Sequence, residues 1–110
     1  MFDNLLQVAQ LLKNAGQIRQ NLSALNERLA AARFTAEAGG GQVRATVDGR
    51  GELVALKVDP RLATADVEMM EDLICAAVRE SVRLSREAAQ KELGSALGGI
   101  GDMLGLKPQA

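Results

Sequence analysis

The stretch GGGQVRATVDGRGELVALKVDP, Gly39 to Pro60, decides the fold. Its glycines have two readings: a cradle for phosphate, or the turns between strands. A P-loop places Lys-Ser or Lys-Thr after its glycines and then starts a helix. A dinucleotide fingerprint also needs a helix after its glycines. Here Gly39, Gly40 and Gly41 lead into Gln42 and then an alternation. Val43, Ala45 and Val47 fall on one side, Arg44 and Thr46 on the other, which is the two-residue period of a half-buried strand. The glycines therefore read as strand connections. LVALKV, Leu53–Val58, is the next strand, with Val54, Leu56 and Val58 sharing a side. A two-residue Asp48-Gly49 loop would oppose Val47 to Arg50 and Ala45 to Glu52. A four-residue loop, Asp48 to Gly51, opposes Val47 to Glu52, Ala45 to Val54 and Val43 to Leu56. It aligns more apolar residues and is the expected register.

The flanks are helical. Leu11, Ile18, Leu25 and Ala32 recur every seven residues, with Ala15, Leu22 and Leu29 between them. That spacing predicts a helix over about residues 3–32, roughly 45 Å long, with a narrow apolar seam. RFTAEA, Arg33–Ala38, is a weaker strand with Phe34, Ala36 and Ala38 on one side. Pro60 ends the sheet, and Thr64 or Asp66 caps a second long helix. Val67, Met70, Ile74, Ala77, Val78 and Ser81 form its inward stripe, with Cys75 buried beside it. This helix is expected to end near Leu93. GSALGGIGDMLGLKPQA then reads as a flexible tail with apolar anchors at Ile100, Met103, Leu104 and Leu106.

The expected fold class is α+β: long helix, three-stranded antiparallel sheet, long helix (α-β-β-β-α). A single dimerising domain covers 1–93, and a glycine-rich C-terminal tail covers 94–110. Two long helices on so small a sheet leave their seams open. A homodimer through the sheet and helices is the expected solution.

Composition narrows the function. The chain has 110 residues, a net charge of −1 and 47% hydrophobic residues, which describes one ordinary globular domain. There is no histidine and one cysteine, so histidine-based catalysis, an internal disulfide and a soft-metal site all lack their parts. Asp48, Glu52 and Asp59 sit at strand ends, where turn and surface roles are expected. No nucleophile, base and oxyanion set emerges, so neither an enzyme nor a cofactor is expected. Phe2 and Phe34 are the only aromatics, too few for base-stacking platforms. MFDNLLQVAQLL carries an acid where a signal peptide needs bases, and no apolar run is long enough to span a membrane. The expected location is the cytoplasm, with no membrane partner.

The basic residues remain. Arg79, Arg83 and Arg86 are four and three apart and share a helical face, which Lys91 roughly continues. Lys13, Arg19 and Arg28 mark the outer surface of the first helix. Doubled in a dimer, such rows can hold phosphate backbone without reading sequence. Glu80 and Glu87 lie in the same segment, and a salt-bridged surface is the competing reading. Spacing alone leaves both open.

Three blocks carry a family resemblance: GGGQVRATVDGRGELVALKVDP (Gly39–Pro60), EMMEDLICAAVRES (Glu68–Ser81) and LGGIGDMLGL (Leu97–Leu106). In this order, over nearly the whole chain, they resemble the YbaB/EbfC family of small bacterial nucleoid-associated proteins. The resemblance implies an α-β-β-β-α homodimer whose long helices project like tweezers from a joined sheet. It implies binding of double-stranded DNA with little sequence specificity, a place in the nucleoid, and an influence on its organisation or on gene expression. The arms it implies are the helices around Lys13–Arg28 and Arg79–Lys91, and the phosphate contacts expected on them are the bases read from spacing: Lys13, Arg19, Arg28, Arg79, Arg83, Arg86 and Lys91. First helices in the family are often rich in lysine, whereas this one has only Lys13, so weaker phosphate attraction is expected. The alternative is a non-catalytic protein-interaction dimer accessory to repair or replication complexes, docking a partner through the C-terminal tail.

Overall fold

The computed structural model describes residues 2–103, and side chains from Asn4 to Ala96. The element order is α1 (Phe2–Ala31), β1 (Arg33–Ala38), β2 (Val43–Asp48), β3 (Leu53–Val58), α2 (Pro60–Ala65) and α3 (Val67–Met103). The strands form one antiparallel sheet in the order β1-β2-β3. The chain divides into two compact units: residues 28–91, and the helical segments on either side of them.

In the central unit, β2 is the strand around which the core forms. Val43, Ala45 and Val47 are fully buried, as the alternation requires, while Arg44 faces solvent. Val43 and Ala45 pack with Leu62 of α2 and Ala77 of α3. Partly buried Val58, Met70, Leu73, Ile74 and Val78 surround them. The buried line of α3 is Ala77, Ser81 and Ser85, four residues apart and at most 1% exposed. Small side chains there let the helix backbone lie close on the sheet. Ser81 satisfies its hydroxyl within the helix, on the carbonyl of Val78 at 2.9 Å. Val67, a member of the expected stripe, is 52% exposed, and Cys75, expected buried beside the stripe, is exposed. The sheet-facing line turns toward Ser85 instead.

The three consecutive glycines all take positive φ, 64°, 67° and 92°, in the β1–β2 connection. A Cβ on Gly39 would also come within 2.6 Å of the Leu73 side chain. The run is a left-handed turn that lets α3 close over it.

The β2–β3 register differs from expectation by two residues from Val43 to Thr46 and by one at Val47. Val43 pairs with Val58 and Ala45 with Leu56, and a bulge between Thr46 and Val47 sets Val47 opposite Leu53. A two-residue shift preserves which side chains share a face, so the apolar alternation cannot reveal it. The bulge absorbs the extra residue.

The loop after β2 ties the elements together. The Asp48 carboxylate accepts the N–H groups of Arg50 at 2.8 Å and Glu52 at 3.0 Å. Its carbonyl accepts the N–H of Gly51 at 3.1 Å and the Ser85 hydroxyl at 2.7 Å. Gly49 donates its N–H to the Leu29 carbonyl at the end of α1, at 2.7 Å. One loop thus holds α1, β2 and α3.

Asp59 and Pro60, read as the end of the sheet, also start α2. The Asp59 carboxylate accepts the Arg61 N–H at 3.0 Å, and Pro60 occupies the first turn. Asp66 then caps α3 through the Met69 N–H at 3.0 Å, so the cap is Asp66 rather than Thr64. Helix α3 continues to Met103, beyond the end expected near Leu93. Each glycine costs a helix only about 1 kcal/mol, and extending an existing helix requires no new nucleus. Residues 104–110, with Leu104 and Leu106, lie outside those described, as do the side chains of Ile100 and Met103.

In the other unit, α1 and α3 meet around Ile18, Asn21, Leu22 and Ala96. The seven-residue stripe of α1 is buried at Leu25 but open at Leu11 (59% exposed) and Leu22 (41%). Among the described residues no helix is long and apolar enough to cross a membrane.

The Asp48–Gly49 loop generates two predictions. A Cβ on Gly49 would lie 2.5 Å from the Leu29 carbonyl oxygen and 2.8 Å from its Cα, backbone atoms that cannot swing aside. Gly49→Ala should therefore destabilise the protein by about 2 kcal/mol or more in urea unfolding. The second concerns acid. Burial works to raise the Asp48 pKa, but the Glu52 and Arg50 N–H groups and the Arg50 guanidinium together hold it below the ordinary 3.8. A depressed carboxylate stabilises fully above its unfolded-state value and loses that contribution as pH falls through the folded value. The stability gap between the protein and Asp48→Asn should be widest near about pH 6 and should narrow toward about pH 3 in thermal unfolding.

Candidate nucleic-acid interface

Charge is unevenly distributed along α3. Its beginning is acidic, with Glu68, Glu71 and Asp72 following the Asp66 cap. These acids sit where the helix dipole is positive. Residues 79–91 then carry four bases, Arg79, Arg83, Arg86 and Lys91, against Glu80 and Glu87. All four bases are exposed because Ala77, Ser81 and Ser85 occupy the sheet-facing line.

The four are not equivalent. Arg83 is clamped: its guanidinium meets Glu80 at 2.7 Å and Glu87 at 3.1 Å, one turn to either side. The hydrogen bond that Arg83 donates to Glu80, then the Glu80 charge, raises the Arg83 pKa, and the same bond lowers that of Glu80. Arg79, Arg86 and Lys91 form no ion pair among the described residues. The salt-bridged reading of the segment thus holds at Arg83 and, among the described residues, not at the other three bases.

Arg86 also lines a concave surface of about 400 Å³ beside the β2–β3 loop, with Leu29, Gly49, Ser85 and Arg50. Arg50 was not singled out from the sequence. It sits at the loop apex within reach of Asp48 at 3.5 Å and Glu52 at 3.4 Å, so its charge is shared. The only available signal was an arginine between two glycines. Lys91 lines a second groove, of about 460 Å³, with Arg33, Phe34 and Glu87. Arg33 is occupied in closing α1, donating from Nη1 to the carbonyls of Ala30 and Ala32, each at 2.8 Å.

Lys13 and Arg19 lie on α1 in the other compact unit and are exposed there. Arg28 is exposed near the end of α1, within the central unit, and is not a free cation. The carboxylates at strand ends have structural partners. Asp48 organises its loop and Asp59 holds Arg61, whose guanidinium reaches Oδ2 at 2.8 Å. Glu52 lies within reach of Arg50.

A surface with several uncommitted cations on one helix, and a backbone loop of hydrogen-bonded glycines rather than a cradle, suits diffuse attraction to polyanions. The comparisons point the same way. The family model of the YbaB/EbfC DNA-binding family matches residues 4–100. A nucleoid-associated protein of Rhodococcus opacus is 42% identical over 95 residues, covering 86% of this chain and 84% of that protein. One from Streptomyces griseus is 42% identical over 101 residues, covering 88% and 89%. The crystal structure of the uncharacterized protein HP0035 from Helicobacter pylori superposes with a TM-score of 0.76 at 28% identity, covering 82% of this chain and 96% of that one.

Proposed function

The chain belongs to the YbaB/EbfC DNA-binding family, and from that premise we propose that it binds double-stranded DNA in the nucleoid through phosphate contacts, with little sequence preference. The observation that carries this reading is the exposed, uncommitted set Arg79, Arg86 and Lys91 on α3. Charges without a carboxylate partner can take one from a phosphate at little cost, whereas Arg83 must first give up Glu80 and Glu87. Nothing in this arrangement presents a rigid set of donors to base edges, so positioning rather than sequence readout is its natural use. The names of the relatives, nucleoid-associated proteins, support the location.

The active form in this reading is a homodimer. Strand β3 is an edge strand in the single chain, and Leu53, Val54 and Leu56 are 50%, 49% and 40% exposed. An unpaired apolar edge of this kind invites pairing, and a second copy satisfies it in a closed, symmetric contact. Pairing would set two α3 rows into one molecule and double the phosphate contacts.

Duplex titration and molecular mass check this. Titration of unrelated duplexes should give similar affinities that fall steeply with salt. Arg79→Gln with Arg86→Gln should weaken all of them, lowering the salt slope by about 0.9 for each phosphate no longer neutralised. Glu80→Gln with Glu87→Gln should act in the opposite direction by releasing Arg83. No retardation of any duplex near about 50 mM salt would refute the DNA-binding reading. Separately, light scattering should give the mass of a dimer for the protein and of a monomer for Leu56→Glu.

A further inference from the structure

The outer face of the sheet holds a like-charged pair. Strand register sets Arg44 of β2 directly opposite Lys57 of β3. Both are exposed, on the side of the sheet away from the Val43–Ala45 core. Like charges directly opposite across strands are destabilising, since their side chains leave the sheet about 5 Å apart. A sheet built for stability alone would place an acid or a threonine at one of these positions. The neighbouring strand pair does so: Thr35 and Thr46 share a hydrogen bond of 2.8 Å.

The local acids do not neutralise the pair. Glu37, across from Arg44 on β1, accepts from Arg44 Nε at 2.9 Å and so takes up one of the two charges. Asp59 is committed to Arg61, through the Arg61 N–H at 3.0 Å and the guanidinium at 2.8 Å. Lys57 forms no ion pair among the described residues. Arg44 and Lys57 together line a concave surface of about 390 Å³ at this end of the sheet, with Gly41, Gln42, Val58, Pro60 and Asp59, whose carboxylate is the acid held by Arg61. Gly41 and Pro60 contribute no long side chain to obstruct it.

We infer that this outer sheet face is a second phosphate-binding surface, on which Lys57, with Arg44 beside it, contacts the nucleic-acid backbone. A phosphate here takes a charge-assisted contact from Lys57, and Arg44, whose Nε and Nη2 are held by Glu37, adds only its remaining N–H groups. The surface is separate from the α3 row. Pairing along the β3 edge would leave it open, because edge pairing uses backbone groups in the plane of the sheet. The inference rests on the DNA-binding reading above.

The test uses the full chain with duplex DNA at several salt concentrations, beside thermal unfolding without DNA. Lys57→Gln should weaken duplex binding roughly three- to tenfold and lower the salt slope by about 0.9 for each copy of Lys57 that meets a phosphate. It should leave thermal stability unchanged or raise it, since a repulsion is removed. Glu37→Gln frees Arg44 and should tighten binding and steepen the salt dependence. A merely structural role for these residues moves stability and not the salt slope. Three results overturn the inference. If the unaltered protein binds no duplex, both the DNA-binding reading and this surface fall. If it binds, and Arg79→Gln with Arg86→Gln weakens it while Lys57→Gln and Glu37→Gln leave the salt slope unchanged, this surface falls and the α3 row stands. If Lys57→Gln weakens binding only in proportion to a fall in stability, the effect is one of folding and the surface again falls.

Discussion

The loop at Asp48 and Gly49 is the constraint on which the central unit depends. The Gly49 N–H reaches the Leu29 carbonyl at 2.7 Å, and this approach leaves no room for a side chain. The Asp48 carbonyl, one peptide earlier, receives the hydroxyl of Ser85. The end of α1 and the middle of α3 are therefore both referenced to one short turn of the sheet. The buried line Ala77–Ser81–Ser85 follows from the same closeness, because a leucine at any of these positions would lift the helix off β2. With that line fixed by packing, the arginines of α3 have only the solvent side left to occupy.

Electrostatics then separates spent charge from available charge. Arg33, Arg44, Arg50, Arg61 and Arg83 are each held by a carbonyl or carboxylate of their own chain. Arg79, Arg86, Lys57 and Lys91 are not so held among the described residues. A net charge of −1 consequently understates what the surface offers to a polyanion. The relevant quantity is the number of cations that need not break a bond to meet a phosphate.

Much of the fold was legible because its signals are periodic. Val43, Ala45 and Val47 announced a half-buried strand, and all three are fully buried. The register of β2 on β3 was not legible, since from Val43 to Thr46 the strand is moved by two residues, which leaves those side chains on their own faces, and the bulge before Val47 has no sequence period. Helix α2 was concealed in a signal read only as a stop: Asp59-Pro60 ends a strand and caps a helix with the same two residues. Cys75 looked like a core residue from its neighbours in sequence, yet the helix turns it outward. The basic row of α3 was visible from its spacing, but spacing could not show that Arg83 is clamped while Arg79 forms no ion pair among the described residues. The Arg44–Lys57 pair was invisible for a related reason, as it exists only once the register is known.

The sequence by itself determined the two long helices and the three strands in their order, the turn character of Gly39–Gly41 and the family of the chain. These are local properties: period, backbone freedom at glycine, and a pattern that runs along the chain. Only the tertiary structure decided which residue stands opposite which, and therefore which charges are neutralised. Ion pairing and cross-strand repulsion act over a few ångströms between residues far apart along the chain, as Arg44 is from Glu37 and from Lys57. No one-dimensional pattern encodes those distances until the sheet and its bulge have set the register.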